Sequence, residues 1–134
     1  MSRLPDWEDR LSAFLDQHRD RAFQWGEWDC VLFATACAAE LTGEDRAAAF
    51  RGKYDTREGA ALALRELGKG TLVKTMDSLF PRCPVGMAGR GDIVMAGAAL
   101  GVCIGRVAMF VGEEDGREGF VTIPRAEWQR AWKV

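Results

Sequence analysis

The sequence predicts an α+β domain, with helices in the first half and an antiparallel sheet in the second. Three observations carry that prediction. Apolar residues recur at helical spacing in segments between about residue 5 and residue 80. From Gly89 the pattern changes to short apolar runs, "GDIVMA", "LGVCIG", "RVAMFVG" and "GFVTIP", separated by glycine or by the charged turn "EEDGREG", as in a meander. Within the helical half lies "CVLFATACAAEL", whose Ala34, Ala36, Ala38 and Ala39 carry little bulk and let another element approach closely. Such a helix belongs in the middle of the domain.

The elements follow in order. The first helix runs from about Pro5 to Arg19. Pro5 suits a first helical position, Asp6, Glu8 and Asp9 favour the positive end, and Arg19 and Arg21 the negative end. Trp7, Leu11, Phe14, Leu15 and His18 form its buried stripe. "FQWGEW" breaks the pattern as a turn centred on Gly26. Asp29 then caps the central helix, which Gly43 ends. A short helix is expected at 45–51 and another at 57–67, opened by Thr56 and closed by Gly68. Leu72, Val73, Met76, Leu79 and Phe80 form one more before Pro81 stops it. The tail "RAEWQRAWKV" is either a last helical turn or an edge strand. No repeat, linker or low-complexity segment divides residues 1–134, so one domain is expected.

The totals exclude several classes of function. With 18 basic and 20 acidic residues the net charge is −2, which gives no electrostatic footprint for nucleic acid. The N-terminus lacks the apolar core of a signal peptide. The run "IVMAGAALGVCIG" at 93–105 is too short to span a bilayer as a helix. Cysteines at 30, 37, 83 and 103 have none of the paired spacings of a zinc site, so reduced thiols and no metal are expected. Five tryptophans in so short a chain point to an interface as one use of them.

Cys30 is the sharpest candidate for chemistry. A thiol at a helix N-terminus meets the positive end of the dipole, which favours thiolate. The competing reading is a small buried side chain that packs as a hydrophobe. A nucleophilic cysteine also needs a base, usually histidine. The one histidine, His18, lies upstream on the apolar stripe of the first helix, and is a remote candidate for that role. Cys37 lies two turns beyond Cys30 on the same helical face, too far for a disulfide within the helix. Cys103 reads as core, and Cys83 has no assigned task. "GKG" at 68–70 lacks the rest of a phosphate loop. Carboxylates at Asp6/Asp9 and Glu113/Glu114/Asp115 read as a solvated helix start and a hairpin tip, so no cofactor site is expected.

The order of these features resembles a known family. "DC" opening a central helix, "GD" with "IV" starting a sheet, and the strand "LGVCIG" are similar to the NlpC-type cell-wall cysteine peptidases of the papain-like fold. "WGEWDCVLFATACAAELTGED", "RGKY" and the terminal "AW" resemble a group of short phage and prophage proteins encoded among tail-assembly genes. The resemblance implies a papain-like fold with its nucleophile on Cys30, preceded by Asp29, and the family's "GD" on Gly91 and Asp92. It places the family's catalytic histidine on Ala99, or on Arg106 if the strand "RVAMFVG" is matched instead, and neither residue is a base. Thr122 is the nearest equivalent of the polar residue on the next strand.

Loss of one member of a cooperating catalytic set removes nearly all of the acceleration. The leading expectation is therefore a structural or assembly component of a phage tail tip built on a degenerate peptidase scaffold. It is made in the bacterial cytoplasm and carried in the virion. Its partners are other tail proteins, held through aromatic patches such as Trp25/Trp28 or Trp128/Trp132, with neither nucleic acid nor membrane insertion. The alternative is an active peptidoglycan amidase or endopeptidase using Cys30. A pocket for a small ligand or acyl group is a third reading.

Overall fold

The computed structural model describes residues 2–134. Four helices precede a six-stranded antiparallel sheet: α1 (Trp7–Gln17), α2 (Cys30–Thr42), α3 (Arg57–Glu66), α4 (Leu72–Leu79), then β1 (Arg82–Cys83), β2 (Ile93–Ala96), β3 (Ala99–Cys103), β4 (Val107–Glu114), β5 (Arg117–Pro124) and β6 (Arg130–Trp132). The strand order is β1-β6-β2-β3-β4-β5. The α+β class and the β2 to β5 meander are as the sequence predicts.

Local chemistry explains the helix limits. Asp29, Thr56 and Thr71 cap α2, α3 and α4, each accepting from a backbone N–H three residues on. Gly43 ends α2 in the left-handed region. The first helix is shorter than predicted: His18 is already its C-cap, and the Arg19 carbonyl turns away to accept from the Phe120 N–H of β5. The helix expected at 45–51 is only a single tight turn, Ala48–Phe50. Asp45 there binds the Ala47 N–H and pairs with Arg51, which closes a loop in place of a helix.

Side chains alternate across the sheet, as strand geometry requires. Ile93, Met95, Leu100, Val102 and Trp132 face the helices and join Leu11, Phe14, Phe33, Ala34, Cys37, Ala38 and Leu41 in the main core. Val94, Ala96, Cys103, Ala108, Phe110 and Ala131 face the other way and are covered by Trp128. Gly101 leaves room for the Phe110 ring on that second face. Arg125 holds the cover in place, donating to the carbonyls of Val85, Ala88 and Gly105 while its guanidinium lies over Trp128.

Two expectations about the tail and the tryptophans are corrected. The tail strand is not an edge: β6 lies between β1 and β2, with Ile93 opposite Trp132 and Cys83 opposite Ala131. Nor do Trp28, Trp128 and Trp132 form surface patches, because all three are buried. Their indoles extend the two apolar faces. The Trp132 N–H also donates to Asp77 and the Trp128 N–H to the Ile123 carbonyl.

Asp92 joins the chain ends. Its buried carboxylate accepts from Arg3 at 2.9 Å, Lys133 at 2.8 Å, and the backbone N–H groups of Gly89 and Val134 at 2.8 and 2.9 Å. Four donors satisfy it, and two carry positive charge. Gly91, at φ +90°, leaves the space in which Leu41 and the Arg3 guanidinium meet this turn.

Candidate functional site

The segment before α2 is built to fix the helix start. Gln24 and Trp28 pair as a short antiparallel bridge around Gly26, whose φ is +82°. Any side chain at Gly26 would overlap the Tyr54 carbonyl. Asp29, fully buried, accepts from the N–H groups of Gly26 and Leu32 and from the Tyr54 hydroxyl, the last at 2.5 Å. It is both the N-cap of α2 and the tie to residues 52–54, where the Gly52 N–H also reaches the Gly26 carbonyl. Burial first, then the hydrogen bond to Asp29 and its charge, pushes the Tyr54 hydroxyl far above its ordinary value.

Cys30 follows as the first residue of α2. Its thiol lies against the start of β3, where the Leu100 N–H faces it. From the sequence, the helix N-terminus is expected to favour thiolate. Instead burial dominates, the Asp29 charge adds to it, and the thiol is pushed up to about 11 against the stabilising pull of the Leu100 N–H. Cys37, deeper in the helix, is pushed up to about 12 by burial. All four cysteines are free thiols.

Among the described residues, the structure brings no histidine to Cys30. His18 ends α1 and packs between aromatic neighbours, 4.7 Å from the Phe14 ring and 4.6 Å from the Trp28 ring. Burial and the Arg21 charge push its imidazole below the usual value, and it does not line the cavity on which Cys30 opens. Ala99 faces the second apolar cluster, on the side of the sheet away from α2. The strand residues on the α2 side here are Met95 and Leu100, both apolar. Arg106 is exposed beyond the far end of β3, about 13 Å or more along the strand from Leu100. Thr122 is exposed on β5 opposite Met109.

Cys30 borders a cavity of about 440 Å³ between the start of α2, the β2–β3 turn, and helices α3 and α4. Its wall is mainly apolar, with Val31, Phe50, Leu64, Val73 and Met95 among the lining residues. The polar groups at the cavity are Asp29, Tyr54 and Arg57. Sequence reasoning found Asp29 and Cys30 but missed the rest of the wall. The available signal was that "RGKY" contains the only tyrosine of the chain, a buried-capable hydroxyl beside a glycine turn. Among the described residues, no three His, Cys, Asp or Glu side chains cluster as metal ligands.

No curated protein matches the chain significantly. A family model does, over residues 2–134. The chain belongs to the family described as a domain of unknown function, DUF6950.

Proposed function

We propose that this protein is a degenerate papain-like scaffold of the NlpC type, working as a structural or assembly component of a phage or phage-like tail tip. The observation that carries the reading is the surroundings of Cys30. A cysteine opens a buried helix against an antiparallel sheet, as the resemblance implies, yet its thiol is held protonated and its neighbours on the sheet are Met95 and Leu100. A peptidase needs a general base within hydrogen-bond reach of that sulfur. The scaffold is kept and the chemistry is not.

Contact with other tail proteins then runs through the apolar side chains that remain outside. Leu62, Leu67 and Met87 are exposed, and Phe23 stacks edge-on against Trp25 on the surface beside the cavity. The test is incorporation: particles from a host carrying the wild-type gene, a deletion or Cys30→Ala are purified and their proteins identified. Normal particles containing the Cys30→Ala protein support the reading. Particles that form without the protein and never contain it refute it.

The alternative, a peptidoglycan amidase or endopeptidase, is favoured by one observation: Cys30 borders a cavity with a backbone N–H beside its thiol. Release of wall fragments by pure protein, lost in Cys30→Ala, would establish it.

A further inference from the structure

We propose that the cavity beside Cys30 is a binding site for a medium-chain aliphatic carboxylate, its tail among Val31, Leu64, Val73 and Met95 and its head at Arg57. This inference does not depend on the tail-component reading and goes beyond it.

The cavity is kept open by residue choice. Ala60 and Ala61 of α3 and Gly97 and Ala98 of the β2–β3 turn line it with almost no side-chain volume. Bulkier residues at those positions would fill the space, as close packing of an interior favours. The volume of about 440 Å³ lies within the range of small-molecule sites and equals roughly fifteen water-sized groups. A straight chain of about eight to twelve carbons fits such a space, with room left by imperfect packing.

The polar groups select the head. Asp29 is occupied by three donors and has no part in holding a ligand. The Tyr54 hydroxyl proton is committed to Asp29. Arg57 is the one cation lining the cavity, and among the described residues its guanidinium makes no side-chain hydrogen bond or ion pair. Its position in the first turn of α3 gains nothing from the helix dipole, which favours anions there. A guanidinium without a carboxylate at an apolar mouth matches an amphipathic anion, because Arg binds carboxylate in a two-pronged geometry.

The test is titration of the intact chain with hexanoate, octanoate, decanoate and dodecanoate below their micelle concentrations, followed by calorimetry. Binding should tighten by about fourfold per added methylene until the cavity is full, then level off. Decanol should bind more weakly than decanoate, and Arg57→Gln should remove that preference while leaving decanol binding unchanged. Ala60→Phe and Val73→Trp should each abolish binding, with thermal melts checking that the fold persists. Bound decanoate should also slow alkylation of Cys30 at pH 9.5, which locates the ligand. The proposal is overturned if decanoate does not bind at millimolar concentration. It is equally overturned if binding survives both filling variants, or if decanoate and decanol bind alike and Arg57→Gln changes neither.

Discussion

The pH dependence of Cys30 alkylation distinguishes a scaffold from a catalyst most directly. The reactive species is thiolate, so the rate at a given pH follows the ionised fraction. A thiol ionising at about 11 in place of the ordinary 9.0 holds about a hundredfold less thiolate at pH 8. Iodoacetamide labelling of the folded protein, read by peptide mass spectrometry, should therefore show Cys30 about a hundredfold slower than a free thiol at pH 8. The rate should rise close to tenfold per pH unit through pH 10. Cys83, half-buried on β1, should label first, and the fully buried Cys37 only on unfolding. Asp29→Asn removes the secondary cause and should speed Cys30 labelling without bringing it to the free-thiol rate, since burial is the larger cause. The same linkage acts on stability. A group whose ionisation is raised in the folded state stabilises fully below the unfolded value, so this contribution is complete below pH 9 and is lost as pH rises toward 11. Cys30→Ala should flatten that part of the alkaline decline. A Cys30 labelling rate that is half-maximal below pH 8 would refute the reasoning and mark an activated nucleophile.

Two further predictions concern the frame around the site. Asp92→Ala removes a buried carboxylate bound by Arg3, Lys133 and two backbone N–H groups. Lys133 is half-exposed and contributes little, so the loss falls on the Arg3 pair and the stranded N–H groups, about 3–5 kcal/mol. A melt by circular dichroism should drop by about 10–20 °C, and a drop under about 3 °C would contradict the role given to Asp92. Gly26→Ala should cost at least about 2 kcal/mol in urea unfolding, because it adds a collision with the Tyr54 carbonyl to the strain of a positive φ. Gly43→Ala has the same positive φ but open space around it and should cost only about 1 kcal/mol. Equal losses in the two variants would show that the Tyr54 contact carries nothing.

The parts of this protein legible from its residues are those decided within a few positions along the chain. Asp29, Thr56 and Thr71 each cap a helix by reaching the backbone three residues ahead, and Gly43 and Gly26 take conformations that their own lack of a side chain permits. The short apolar runs from Gly89 onward, broken by glycine or by the charged turn, mark the β2 to β5 strands for the same reason. Cys30 at the start of α2, and the absence of a matching histidine, are likewise legible in the residues alone. What only the tertiary structure decided depends on groups brought together from distant positions. The tail strand lies inside the sheet because Pro81 through Cys83 return to cover its other side. Burial in the assembled domain, with the Asp29 charge adding to it, pushes the Cys30 thiol up against the pull of the Leu100 N–H on β3, about seventy residues away. Trp28, Trp128 and Trp132 are core because two apolar faces needed large side chains to close them. The cavity exists only where α2, α3, α4 and the β2–β3 turn meet. Capping and turn geometry are short-range, whereas desolvation and enclosed volume are properties of an assembled surface that no window of sequence contains.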